Sequence, residues 1–509
     1  MKGLKQKAVS GVKWMMIVKI TQKMSSVVTF AILARILEPS VFGLFAMAFI
    51  LIDGLGIFQS FGIDSGLIQR KDSRDIANHT AFSVILFFGV VVFSLCMLLA
   101  PLAGKFFGNP EVTVVVQALG IIFVINSFGK VPSALLTRRM KFRTISFIRL
   151  ASSFVNSICA ISFALISPTI WSLVWAYIIK GVVMVILLFF SSGYRVKFQY
   201  EKKAAKELFS FGKFIVGLSI LSYVMDNMNN IVVGKMLGTT ILGYFALASN
   251  IGNFINSHFT QLISRVMFPA YAAIQNNLAT VRKTFLKIVS FISCLSFPFS
   301  FFIILAAEEI VLTIYGAKWV PMIPLMQLFG IVQIISPLGA SSWPIFMGCG
   351  KPDYQFRLNL ARVIFRLPVL IGFAYVWGAE GAVYAMILTS LIFVPINLYL
   401  VKRIVDYRLR ELVIRIKSTF IACVAMSSII VLSKYGMGQM NVMRELYALK
   451  LAILSAVGGS VYLLTLYWAD RTLVQEIIDM LFRHQPKTKK KDDIQQTYEY
   501  SNELQSDHV

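Results

Sequence analysis

Charged side chains are scarce in this chain. Asp, Glu, Lys and Arg together make up 14% of its 509 residues, where a soluble globular protein carries about 25%. The five cysteines (Cys96, Cys159, Cys294, Cys349 and Cys423) are scattered with no C-x-x-C pair, and the four histidines are equally dispersed. Neither a disulfide framework nor a metal site is indicated, and no cofactor is expected. No G-x-x-x-x-G-K-[ST] run is present to hold a nucleoside triphosphate, so ATP hydrolysis by this chain is not expected. A D-x-D pair is missing too, as is any extramembrane stretch long enough for a sugar-nucleotide domain. A cleavable signal peptide is not expected: the first apolar stretch carries Lys13, Lys19 and Lys23 and has no small-residue cleavage site.

What fills the chain is apolar. Hydrophobic residues make up 57% of it, and they are gathered into stretches of about 20 residues, the length that crosses a hydrocarbon core of about 30 Å. Roughly fourteen such stretches recur, helices 1 to 14 in order: 12–37, 41–62, 77–100, 112–136, 145–167, 169–191, 208–235, 239–264, 284–306, 320–347, 356–377, 379–401, 414–434 and 446–469. They consume roughly 300 residues at about 20 each, leaving no room for a sizeable soluble domain. Backbone amides in lipid must be bonded within their own segment, so the expected class is all-α: a polytopic membrane protein of about 14 transmembrane helices.

The net charge of +25 would suggest nucleic acid in a soluble protein. Here Lys and Arg sit mostly in every second connection, as in Arg70, Lys71 and Arg74, then Arg138, Arg139, Lys141 and Arg143, then Arg195, Lys197, Lys202, Lys203 and Lys206. Positive connections stay in the cytoplasm, so both termini are expected there, and no nucleic acid is expected as partner. The tail beyond Arg483, with Lys487, Lys489, Lys490 and Lys491, reads as a disordered segment held near anionic headgroups.

Residues 10–48 echo residues 210–248 at a constant offset of 200: Ser10, Lys13, Ile20, Leu37, Gly43 and Phe45 find Ser210, Lys213, Ile220, Leu237, Gly243 and Phe245. A second echo sets Phe107-Gly108, Gln117 and Gly120 against Tyr315-Gly316, Gln327 and Gly330. The expected organisation is therefore two pseudo-symmetric six-helix bundles, 1–206 and 207–411, followed by two appended helices in 412–470 and a cytoplasmic tail, 471–509. Six helices per copy give both bundles the same orientation, which is the parallel-repeat arrangement of some transporters with the substrate site between the halves.

Charge inside the membrane costs on the order of 3 kcal/mol per group and should face a cavity or a partner. Lys19, Gln22, Lys23 and Ser26 fall on one face of helix 1, and Ser219, Ser222, Asp226 and Asn229 on one face of helix 7. Helix 8 adds Asn250, Asn253, Ser257, Gln261 and Arg265, and the repeat sets Asp53 of helix 2 in register with Asn253. Helices 1, 2, 7 and 8 are expected to turn these faces to one central cavity. Helix 5 contributes Arg149, helix 6 contributes Lys180, and helix 11 contributes Arg362 and Arg366. The candidate substrate-binding residues are thus Lys19, Gln22, Lys23, Arg149, Lys180, Asn253, Gln261, Arg265, Arg362 and Arg366. Asp226 and Asp53 are the candidates for ion coupling, with a structural role beside a nearby cation as the alternative. A cavity that is cationic on balance suits diphosphate or uronic acid groups better than an organic cation.

The first hairpin, LARILEPSVFGLFAMAF (33–49), and FGIDSGLIQRKD (61–72) resemble the polysaccharide-transporter branch of the multidrug/oligosaccharidyl-lipid/polysaccharide flippase superfamily, in particular its colanic acid and teichuronic acid exporters. NNIVVGKMLGTTILGYFALA (229–248), FPAYAAIQ (268–275), YGAKWVPMIPLMQLFG (315–330) and GCGKPDYQFRLNLAR (348–362) extend the resemblance to about residue 470. The resemblance implies a bacterial inner-membrane flippase for an undecaprenyl-diphosphate-linked oligosaccharide, an exopolysaccharide or lipopolysaccharide repeat unit. It implies alternating access coupled to an ion gradient, with the lipid-linked oligosaccharide, membrane lipids and a glycan polymerase and export machinery as partners. One departure stands out: Asn229 occupies the place where an acid is expected before VVGK, with Asp226 one turn earlier. The rival readings are a drug/cation antiporter of the same superfamily, which calls for acids where helix 1 is basic, and a membrane-embedded glycan-assembly enzyme.

Overall fold

The computed structural model describes residues 2–69, 75–254, 260–439 and 446–482. The basic 70–74 connection and the tail from Arg483 lie outside the described residues, as do the side chains of Gln261 and Arg265. The described residues fold into helices with no strand among them. In chain order these are α1 (Lys2–Ile36), α2 (Pro39–Gly56), the short α3 (Ile63–Gln69), α4 (Asp75–Phe107), α5 (Pro110–Arg138), α6 (Phe142–Ile166), α7 (Ile170–Ser192) and α8 (Lys202–Gly252). They continue with α9 (Gln261–Ile274), α10 (Leu278–Ile310), α11 (Ile323–Ala340), α12 (Ser342–Gly348), α13 (Pro352–Val405), α14 (Leu409–Gln439), α15 (Tyr447–Ala469) and α16 (Arg471–Phe482). Eleven helical stretches among the described residues are long and apolar enough to cross a membrane. The chain is an all-helical, multi-pass membrane protein.

Local chemistry sets where the helices begin and turn. Pro39 and Pro110 open α2 and α5, where a missing N–H costs nothing. The side chain of Asn109 accepts from the backbone N–H of Glu111 at 2.9 Å, and that of Asn277 from Thr280 at 3.0 Å, capping α5 and α10. The long α8 and α13 are each folded back at a glycine with positive φ, Gly238 (82°) and Gly378 (60°), a conformation that other residues rarely adopt. These turns fall in the gaps expected between 208–235 and 239–264 and between 356–377 and 379–401.

Two groups of helices result. In one, α4 packs on α5, α6 on α7, α5 on α7 and α1 on α6; in the other, α10 packs on α11, α11 on α13, and α9 on α12. The broadest contact between the groups is α2 against α8. It closes at two glycines related by the offset of 200. A Cβ on Gly43 would lie 1.7 Å from the carbonyl oxygen of Thr239, and one on Gly243 would lie 2.0 Å from that of Pro39. The α14–α15 pair packs on α10. It is tied there by the half-buried Lys434, whose ammonium donates to the buried Glu309 carboxylate and, at 3.0 Å, to the carbonyl of Leu305. That carbonyl lies beside Ala306, where α10 leaves helical geometry (φ −105°, ψ 17°). Toward the other end of the same helices Arg282 and Glu411 form a bidentate pair.

The end of the bundle at the α1–α2 turn is sealed by the YGAKW segment. A π-helical turn, Val311–Tyr315, and a tight 3-10 turn, Ala317–Met322, carry it from α10 to α11. Trp319 is fully buried, and its indole N–H donates to the carbonyl of Ala34 at 2.8 Å. Phe42 meets the indole edge-on at 5.4 Å. Arg35 donates to the carbonyls of Thr313 and Ile314, and Lys318 pairs with Glu38 at 3.6 Å. Arg35, Glu38 and Phe42 belong to the first hairpin, so two stretches that carry the family resemblance are bound to each other here.

Candidate functional site: a polar cavity walled by α8, α11 and α13

Below the Gly238 turn, α8 presents Ser222, Asp226 and Asn229 along one face, at the i, i+4 and i+7 positions. That face lines a cavity of about 1010 Å³. Facing it are Gln333 and Ser336 of α11, Trp343 of α12, and both limbs of α13, which supply Arg362 and Arg366 before the Gly378 turn and Thr389 and Asn397 after it. The cavity thus has a hydrogen-bonding wall inside an apolar bundle. Burial of that much polar surface is costly unless something pairs with it.

The charged groups are held rather than loose. Arg366 donates from Nη2 to the Asn229 side-chain oxygen at 2.8 Å, and the Arg362 guanidinium lies 5.6 Å from the centre of the Phe393 ring. Asn229, the residue found where an acid was expected, therefore orients an arginine through a neutral oxygen. Asp226, one turn earlier, lines the same cavity and stays exposed to it. The amides are fixed in the same way. Gln333 donates to Asn253 at 2.5 Å, Asn253 in turn to Ser249 at 3.0 Å, and Asn397 to the carbonyl of Gly339 at 3.1 Å.

A second cleft of about 430 Å³ lies between α2 and α8, lined by Asp53, Ile57, Ser219 and Tyr223. It shares Ser222 and Asp226 with the first, so Asp226 stands at the junction of the two. Tyr223 bridges the helix groups there, its hydroxyl donating to the carbonyl of Ile50 at 2.5 Å. A third cleft, about 210 Å³ and mostly apolar, opens between α1, α8 and α10, with Lys23 and Phe30 on one side and Leu247 and Ile251 on the other. Lys23 sits 5.7 Å from the centre of the Phe254 ring.

The candidate residues therefore separate. Asp53, Asp226, Asn253, Arg362 and Arg366 line the two joined cavities, and Lys23 lines the apolar cleft. Lys19 and Gln22 continue the α1 face beyond Lys23, Lys180 lies over Tyr177 of its own helix at 5.4 Å, and Arg149 is exposed on α6; none of these four lines the three cavities. Sequence reasoning passed over Gln333, Ser336, Trp343, Thr389 and Asn397. The signal was available as polar residues spaced along apolar helices, but without a charge among them it did not stand out.

Membrane-length helices with a half-open polar cavity between α8, α11 and α13 define the class: a multi-pass membrane protein with an internal site. Residues 32–324 match the family described as polysaccharide biosynthesis protein, more than half of the chain, and the chain belongs to that family. It is 25% identical to the lipopolysaccharide biosynthesis protein WzxC of Escherichia coli (strain K12) over 76% of this chain and 80% of that one. Likeness to the succinoglycan biosynthesis transport protein ExoT of Rhizobium meliloti (strain 1021) is 24% over 90% and 92%. Among solved structures, the lipid II flippase MurJ in an inward closed conformation superposes with a TM-score of 0.72 at 14% identity, covering 90% of this chain and 99% of that chain. At that identity the likeness is one of fold.

Proposed function

We propose that this protein flips an undecaprenyl-diphosphate-linked oligosaccharide, a repeat unit of an exopolysaccharide or lipopolysaccharide, across the bacterial inner membrane by alternating access. The observation that carries the reading is the polar cavity, which shares Ser222 and Asp226 with the α2–α8 cleft and holds Arg362 and Arg366 in its wall. Such a cavity carries a polar headgroup through lipid without exposing it. The membership of the polysaccharide biosynthesis family supports the substrate class, and the two guanidiniums of the larger cavity, one of them held by Asn229, offer donors to an anionic group.

In this reading the chain crosses the membrane fourteen times with both termini cytoplasmic, 1–206 and 207–411 are the rocking lobes, and 412–470 is an appended helix pair. The sealed end then faces outward and the cavity belongs to the inward half of the cycle. Lys23, at the cleft between α1 and α8, and Lys19 further along the same helix bring cationic charge to the substrate, Gln22 adds a neutral hydrogen-bonding contact, and Arg149, Lys180, Gln261 and Arg265 are further contacts. Asp226 and Asp53 couple the movement to an ion gradient. A glycan polymerase and export machinery receive the product. The test is genetic: cells lacking the protein should accumulate the lipid-linked oligosaccharide and lose surface polymer, with both restored by the intact gene. Loss of polymer without accumulation of that intermediate would place the protein at another step.

A further inference from the structure

We infer that the cavity between α8, α11 and α13 is a recognition subsite for the oligosaccharide portion of the substrate, distinct from the groups that take its diphosphate. This rests on the lipid-linked reading above and deepens it. The first support is the composition of the wall. Of its twenty lining residues, eleven carry neutral hydrogen-bonding side chains and only three carry charge. An isoprenoid chain placed here would strand those polar groups, and a diphosphate would find two cations but leave most of the wall unpaired. A polyol matches it, because every hydroxyl both donates and accepts.

The second support is unspent hydrogen-bonding capacity. Gln333, Gln355 and Asn397 each donate an amide N–H, to Asn253, Asn359 and Gly339, while their side-chain oxygens have no partner among the described residues. The Nε of Arg366 and the hydroxyl of Thr260, in the same wall, are likewise without one. Leaving such groups buried and unpaired is costly. These atoms are buried just behind the cavity surface, so rotation of the amides is what turns their acceptors to sugar hydroxyls, and the guanidinium supplies a donor in return.

The third support is Trp343, the one aromatic side chain among the described residues lining the cavity, with its indole 37% exposed. It meets the Phe268 ring at 6.0 Å, and it gives the C–H face of a sugar ring an apolar platform. The volume of about 1010 Å³ lies at the top of the range of about 300–1,000 Å³ typical of ligand pockets, room for several sugar rings. Sites built to pair with hydroxyls discriminate strongly against ligands that lack them, so this cavity would set which repeat unit is carried.

The experiment measures binding of two defined probes to the full-length protein in detergent: undecaprenyl diphosphate alone, and undecaprenyl diphosphate carrying the oligosaccharide isolated from the protein's own source. The wild-type protein should bind the glycosylated probe about tenfold tighter or more, the yield of one or two net hydrogen bonds. Trp343→Leu and Gln355→Leu should each remove most of that gain while leaving affinity for bare undecaprenyl diphosphate and thermal stability unchanged, and Trp343→Phe should restore part of it. Equal affinity for the two probes, or variants that lose both affinities in parallel, would overturn the subsite while the lipid-linked reading stands. Failure of both probes to bind would overturn that reading and the subsite with it.

Discussion

Asp226 is the residue on which the account leans hardest. It stands where the α2–α8 cleft meets the larger cavity, one turn from the Asn229–Arg366 bond, so any rocking of the helix groups changes its surroundings. Ion coupling through a carboxylate requires that its affinity for the ion differ between the two states of the protein. Asp226→Asn is expected to stop or uncouple gradient-driven transport while substrate binding in detergent survives. Transport by that variant with unchanged dependence on the proton and sodium gradients would leave Asp226 as part of the wall. On α1, changing Lys19 and Lys23 together to Gln is expected to abolish polymer export at near-normal protein abundance. The Arg pair should be milder, because charge is kept while geometry shifts. Full export in the double Gln variant would take both residues out of the mechanism. The two acids could be found from sequence because charge in an apolar helix is conspicuous. The partners of α1 could not. Its polar face was expected to join those of helices 2, 7 and 8, yet α1 packs on α6 and turns Lys23 to a more apolar cleft, a matter of helix rotation that spacing alone does not encode.

At the scale of the element, the seal is built from the α1–α2 hairpin and the YGAKW segment, and it is held by few bonds. The indole–Ala34 hydrogen bond contributes about 1 kcal/mol net, enough to move a balanced two-state equilibrium severalfold. Trp319→Phe keeps a six-membered ring in place and removes the donor together with the five-membered ring that carries it. It is expected to raise labelling, by a membrane-impermeant maleimide, of a cysteine placed at Thr313 in a background without native cysteines. Gly43→Ala should act in the same direction and more strongly, since its Cβ would enter the van der Waals space of the Thr239 carbonyl. Unchanged labelling in both variants would mean that this contact does not gate the cavity. The sequence stretches on both sides of the seal were conspicuous as motifs, and the Gly43–Gly243 pair as a repeat. That they touch is tertiary information. The helix breaks at Gly238 and Gly378 were legible because glycine interrupts otherwise apolar runs. The break between α11 and α12 at Ser341 was not, because 320–347 is continuously apolar enough to read as one span.

For the whole molecule, the repeat, the alternating basic connections and the cavity converge on one topology. Cysteine labelling in intact cells should find the 192–207 connection inaccessible from outside. Accessibility there would reverse the proposed orientation and with it the side on which the Trp319 seal lies. The central claim is that the protein itself moves a lipid-linked oligosaccharide between leaflets. The most direct measurement reconstitutes the purified chain in liposomes with a fluorescent undecaprenyl-diphosphate-linked oligosaccharide and follows exposure of the label to a membrane-impermeant quencher under an imposed ion gradient. The account predicts transfer that depends on the protein and the gradient and is stopped by Asp226→Asn. Label distribution identical in liposomes with and without the protein, under every gradient tried, would contradict it.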